Sequence, residues 1–269
     1  MLCPETATKV PRLVRDHRAV RGDKEEDGTL TAAARETLSS GSASVDQGDS
    51  ATTITEDGTY TDTAYYSTGD DENALRVDGA TVALENTTVA KNGGASSNAE
   101  NGDFYGINAA LLATNGTQGM IRNAKITSDA QNGNGVFSYG SGTTVQISDS
   151  TITTTADNSG GLQTTDGGTT NAENLTVETS GNSSAAIRSD RGGGIVTVDA
   201  GSYTSNGYNS PAVYSTADIT VQNAALTADH SEALVIEGEN RISLENCDVT
   251  GNMSDTEGAS SDENVYNVI

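Results

Sequence analysis

The stretch VQISDSTITTTADNSGGLQTTDGGTTNAENLTVET, residues 145–179, states one phrase twice. Val145 and Ile147 alternate with polar residues, Asp149 follows, and Ile152 stands five positions after Ile147; then Ala172, Asn174 and Val177 repeat the arrangement 25 residues later. Alternation of period two marks a strand with one buried face. Recurrence at a fixed interval of roughly 20 to 50 residues marks a solenoid, in which each unit buries its inner face only against its neighbours.

The phrase extends in both directions. Upstream it reads Val82, Leu84, Asn86, Val89 and then Ile121, Asn123, Ile126; downstream come Val196, Val198, Ala200, Tyr203, then Ile219, Val221, Asn223, Leu226, and Ile242, Leu244, Asn246, Val249. With the second apolar residue as marker, positions 84, 121, 147, 172, 198, 221 and 244 give steps of 37, 26, 25, 26, 23 and 23, so the first step carries an insertion. A second run precedes each phrase, small residues and then one apolar anchor: Leu75, Leu111, Val136, Leu162, Ile187, Val213 and Leu234. These patterns predict three short strands per coil and about seven to eight coils of 23–26 residues, with Val82, Leu84, Ile121, Ile147, Val198, Val221 and Leu244 buried in register.

Asn86, Asn123, Asp149, Asn174, Asn223 and Asn246 occupy one position of the repeat, and Ala200 is the exception. Asn and Asp tolerate the left-handed conformation of a sharp corner and hydrogen-bond to like residues above and below. Strand parity points this column inward, as a buried structural ladder. Leucine-rich repeats also carry an Asn column, but theirs follows the last Leu by three residues rather than two, and Leu is scarce here.

Composition agrees with a narrow, repetitive core: 33% hydrophobic, 4% aromatic, no Trp and thirty Gly. The net charge of −24 is unevenly spread; from residue 36 onward 32 acidic residues face 7 basic ones, a field that repels nucleic acid and anionic membranes. Cys3 and Cys247 form no metal or disulfide pattern, and no apolar run is long enough to insert in a membrane. Residues 1–50 read as an irregular segment with a possible capping helix at 30–39 and a Gly/Ser linker, residues 51–269 as the solenoid, with 53–61 opening an incomplete first coil and ENVYNVI (263–269) an uncapped further strand. The chain is therefore expected to be a fragment of an exported protein, extracellular or at a cell surface.

These residues resemble right-handed parallel β-helix proteins of the pectate-lyase-like superfamily, in particular Thr/Asn-rich, adhesin-like surface members from Gram-positive gut bacteria, over residues 54–269. The resemblance implies an all-β solenoid with three parallel sheets, an Asn corner and a groove over the first sheet. It implies little chemistry, because lyases, hydrolases and adhesins share the architecture.

No catalytic residue is identified. Paired carboxylates with a helping His and a basic pair are missing: Asp70 and Asp71 are adjacent but have no such partners, and His17 and His230 stand apart. Arg188 with Asp190 is the nearest approach to a lyase base. The outward position of each first strand instead forms a row, Arg76, Leu112, Phe137, Gln163, Arg188, Tyr214 and Val235. Arg76, Phe137, Gln163, Arg188 and Tyr214 are the candidate ligand residues, their aromatic faces and hydrogen-bonding groups suited to sugar rings, with residues 91–105 and 205–211 as flanking loops. A second row, Thr127, Thr153, Thr204, Thr227 and Thr250, matches the regular Thr spacing of ice-binding solenoids but is interrupted by Glu178. No metal site has ligand spacing, although the loop GDDEN (69–73) offers oxygens for Ca2+. The expectation is a monomeric, cofactor-free, non-catalytic surface protein that binds a polysaccharide or a host or cell-wall surface. The alternatives are a polysaccharide lyase or hydrolase and an inert stalk.

Overall fold

The structure, a computed structural model, describes residues 45–253. It is a parallel β-solenoid of about eight turns, and every strand pair among the described residues is parallel. The expected helix at 30–39 and the strand at 263–269 lie outside the described residues. An eight-stranded first sheet holds the anchor strands, from Thr53–Ile54 to Leu234–Ile236. The second and third strands of each coil are joined into one 13-stranded sheet, because in three coils they run on without a break, as Gly168–Thr179, Gly194–Tyr208 and Asp218–His230.

The expected incomplete first coil is a full one, with strands Thr53–Ile54, Gly58–Thr61 and Ala64–Ser67. Its marker is Tyr60, paired with Leu84, and its corner residue is Asp62, at φ 53°. Tyr60 hid the repeat because an aromatic stands where the other coils carry an aliphatic marker.

Inside, the anchors Leu75, Leu111, Val136, Leu162, Ile187 and Val213 meet Val89, Ile126, Ile152, Val177, Tyr203 and Leu226 across a core one side chain deep. The residue before each anchor is small because the third strand fills its space: a Cβ on Gly161 would lie 2.3 Å from Val177 Cγ1 and 2.6 Å from the Ala186 carbonyl oxygen. Leu244 departs from expectation. It is 38% exposed, since its coil is the last one described and nothing described stacks above it.

The corner column is left-handed throughout: Asn86, Asn123, Asp149, Asn174, Asn223 and Asn246 have φ between 50° and 55°, and Ala200 sits at 61°. Its side chains are exposed, which corrects the inward reading. A left-handed residue resets the alternation, so the amide leaves the solenoid and the next residue (Thr87, Ala124, Ser150, Leu175 or Ala224) turns in and is buried. The amides still stack outside: Asn174 Nδ2 donates to Asp149 Oδ1 at 2.8 Å and Asn246 Nδ2 to Asn223 Oδ1 at 2.8 Å. Beside Ala200, Asn223 turns instead to Asp199 Oδ1 at 2.8 Å.

A buried ladder does exist, one corner later, between the third strand and the next first strand, and it is made of serine. The backbone N–H of Gly133 donates to Ser159 Oγ, that of Ser159 to Ser184 Oγ, and that of Ser184 to Ser210 Oγ, at 3.1, 2.9 and 2.9 Å. Each hydroxyl passes its own proton to a carbonyl of the preceding coil, at Ala130, Ala156 or Gly181. The signal was present as a Ser three residues before the anchors Leu162, Ile187, Val213 and Leu234.

Because the Asn column is exposed, its contribution comes from backbone conformation rather than from burial. A side chain without local hydrogen bonding loses about 1–2 kcal/mol in the left-handed region. Asn174→Gly should therefore leave the melting temperature nearly unchanged and Asn174→Val should lower it clearly, while Ala200→Asn should raise it; thermal unfolding followed by circular dichroism checks all three.

Candidate functional site

The first-sheet row is in register as read, Arg76 beside Leu112, then Phe137, Gln163, Arg188, Tyr214 and Val235. It is not an open strip. Most of the 37-residue step forms residues 92–110, which fold over this sheet and carry a short helix, α1 (Ala99–Tyr105). Asn98 caps α1 by accepting from the Asn101 backbone N–H at 3.1 Å, and Gly106 closes it at φ 86°. A Cβ on Gly106 would lie 2.8 Å from Leu112 Cδ1, so glycine lets the chain lie flat on the apolar part of the row.

Phe137 and Gln163 are fully buried in consequence, which corrects their placement on an exposed sugar-binding surface. Phe137, Leu112 and Ala109 form a small apolar cluster separate from the main core, with Tyr139 against it. Gln163 Nε2 donates to the Asp103 carbonyl at 2.8 Å and to Asp190 Oδ2 at 3.3 Å, while its Oε1 is buried without a partner. Arg76 is a tether: its Nη2 donates to the carbonyls of Gln47, Gly48 and Asp49 at 2.7, 2.8 and 3.1 Å. Arg76, Arg188 and Tyr214 are half-buried, and the Arg188 guanidinium lies 5.9 Å from the Tyr214 ring centre.

Arg188 holds the centre. Its Nε lies 2.6 Å from Asp190 Oδ2 and its Nη1 3.3 Å from Asp103 Oδ1, and its side chain is 13% exposed. Burial alone would lower its pKa, but the two carboxylates outweigh that and raise it. Burial pushes both Asp103 and Asp190 above the usual carboxylate range, against the opposing pull of Arg188. Arg191 stacks on Phe104 of α1 at 4.0 Å, and the Thr165 hydroxyl donates to the Phe104 carbonyl at 2.8 Å. The group that sequence reading offered as a lyase base is thus fastened between two acids.

The remaining candidates have structural partners. Asp70 and Asp71 accept from the backbone N–H groups of Ala95 and Ser97, both at 2.7 Å, and so fix the start of the insertion. His230 Nδ1 meets the Asn206 carbonyl at 3.0 Å. Lys91 is buried beside Ser67, with Nζ on the Ser67 hydroxyl at 3.1 Å and on the Gly69 carbonyl, and burial lowers its pKa. Among the described residues no three His, Cys, Asp or Glu side chains gather as a metal group. The Thr row is in register from Thr127 through Thr153, Glu178, Thr204 and Thr227 to Thr250.

Sequence reading overlooked the outer face of the second sheet. Its central row runs Thr59, Ala83, Met120, Gln146, Asn171, Thr197, Thr220 and Ser243, in register across eight coils and without a charge. At coils one to four the face is a shallow open hollow of about 430 Å³, bordered by Thr59, Thr81, Gln118, Met120, Thr144 and Gln146, with Gly58, Val82, Ala83 and Gly119 beneath. The dent follows from size. Ala83 is the small member of the outer row, between Thr59 and Met120. The signal available in the sequence was this neutral row, legible only once the second strands are aligned.

No family model, curated protein or solved structure matches the chain.

Since Phe137 serves packing rather than contact with a ligand, Phe137→Ala should behave as a core truncation, with a loss of about 3–5 kcal/mol where the site does not collapse. The expected outcome is a lower melting temperature, with residues 92–110 losing protection from hydrogen exchange before the solenoid does.

Proposed function

We propose that the protein is a non-catalytic, carbohydrate-binding β-solenoid of an extracellular or cell-surface kind, acting as a monomer and without a cofactor. The observation that carries this reading is the concavity on the second sheet. On a chain of net charge −24, all ten of its lining residues are uncharged and none titrates near neutral pH. Hydroxyls of Thr59, Thr81 and Thr144 and amides of Gln118 and Gln146 supply donors and acceptors, and Met120, 40% exposed, supplies an apolar face. That mixture suits a sugar ring, which offers hydroxyls at its rim and C–H groups on its face. A neutral glycan is favoured over a polyuronate, because the surrounding acidic field repels carboxylates.

Glycoside cleavage needs a carboxyl that gives a proton and a base that activates water. The groove lining offers neither, which supports binding over the hydrolase or lyase alternative and keeps the pectate-lyase-like resemblance as one of architecture. A shallow face buries little of its ligand, so single-site affinity is weak and adhesion would come from several copies on one surface.

A glycan array of neutral and uronate polymers, run with and without calcium, tests the reading. Neutral polymers should be retained and polyuronates not; Met120→Glu and Gln146→Glu should each abolish retention, and Tyr214→Ala should leave it intact. Retention that survives both groove substitutions, or no retention at all, favours the inert stalk.

A further inference from the structure

The insertion over the first sheet lies on a different face from the proposed glycan groove, and its attachment has an imbalance that ordinary packing does not call for. One guanidinium, Arg188, serves two buried carboxylates, Asp103 on α1 and Asp190 on the first-sheet side, at 3.3 and 2.6 Å. The surplus negative charge is left beside Gln163, whose Oε1 is itself buried and unpartnered. The other charged or titratable groups at this contact are Glu100 on α1, Arg191 stacked on Phe104, and Tyr214, which Glu237 accompanies. Glu100 and Glu237 add to the negative side. Glycines with positive φ stand at both ends of the segment, Gly93 and Gly94 before α1 and Gly106 after it, and nothing would obstruct a Cβ on Gly93. The apolar footing beneath is the separate cluster of Ala109, Leu112 and Phe137, with Tyr139 packed against it and edge-on to Tyr105 of α1.

We propose that residues 92–106 form a proton-coupled lid on the first sheet, which closes more firmly when the Asp103–Arg188–Asp190 cluster takes up one proton and loosens when it gives that proton up. One proton on either carboxyl leaves a neutral cluster, one positive charge against one negative. The sign follows from the direction of the shifts. Both carboxyls hold their protons more tightly in the closed, buried arrangement than an exposed Asp does, so closing takes up a proton and opening releases one. The window lies above the ordinary Asp range, with the closed form gaining as the pH falls through it. Opening uncovers Leu112, Phe137, Gln163 and Arg188, an aromatic and hydrogen-bonding strip that the closed lid withholds from solvent.

Hydrogen exchange of residues 99–106 in the full chain, corrected for the intrinsic pH dependence of amide exchange, reads the opening equilibrium. Between about pH 4 and pH 8 the opening constant should rise with pH, by no more than about tenfold per unit for one coupled proton. Strands Thr144–Ser148 and Thr151–Thr154, both in the 13-stranded sheet, should show no such change and report on folding of each variant. Asp103→Asn and Asp190→Asn each leave Arg188 with a single acid and should flatten the dependence. Asp190→Asn is decisive where Asp103→Asn unsettles α1 itself, because Asp190 lies outside the lid. Protection of the lid that does not vary with pH, that falls on acidification, or that keeps its full dependence in Asp190→Asn overturns the proposal. None of these outcomes bears on the second-sheet groove, which glycan retention tests separately.

Discussion

The structure depends on one backbone constraint, a left-handed residue at the corner between the second and third strands of every coil. The core is one side chain deep, so the chain must turn sharply twice within a few residues without losing the inter-coil ladder. A left-handed residue turns it while its N–H still reaches the next coil, as Asn86 does to the Arg122 carbonyl at 3.0 Å and Asp149 to that of Glu173 at 3.1 Å. Asn and Asp bear this conformation at small cost because their short polar side chains hydrogen-bond locally. The amide ladder outside is the by-product, and Ala200 at φ 61° shows that the turn persists where the amide is missing.

That constraint explains which features the sequence carried plainly and which it concealed. Strand periods, step lengths and the register of the first-sheet row follow from local alternation, and they are as expected from Leu75 to Leu234. Parity fails across the corner, because counting by twos assumes extended backbone and a left-handed residue breaks the count. The Asn column was therefore placed inside, whereas the buried polar ladder is Ser159, Ser184 and Ser210, one turn away. Serine is common enough on strand edges that its fixed distance from the anchors drew no notice.

The covered row has a different origin. The insertion was visible as a step of 37 residues, but step length says nothing about which sheet the extra chain lands on. Its landing is decided by contacts far apart in sequence: Gln163 and Thr165 to the carbonyls of Asp103 and Phe104, 60 and 61 residues away, and Arg188 to Asp103, 85 residues away. An outward position in a solenoid is exposed only by default, and Phe137, too large and apolar for open water among acidic neighbours, was the hint that something lay above it.

Charge then separates the two remaining faces by what each could do. On the first sheet, acids and arginines are gathered under a lid, where low polarity makes every proton consequential. On the second sheet, the central row is neutral through eight coils, from Thr59 to Ser243, while the rows beside it carry charge, with Arg241 paired to Asp218 at 3.0 Å on one side and Glu85, Arg122, Glu173, Asp199 and Glu245 on the other. A chain this acidic would scatter carboxylates over an indifferent surface. Their absence from one row, at the point where the small Ala83 also lowers the sheet surface, unites charge and shape on the same coils, and that coincidence is the ground for proposing a binding face there rather than a side of a post.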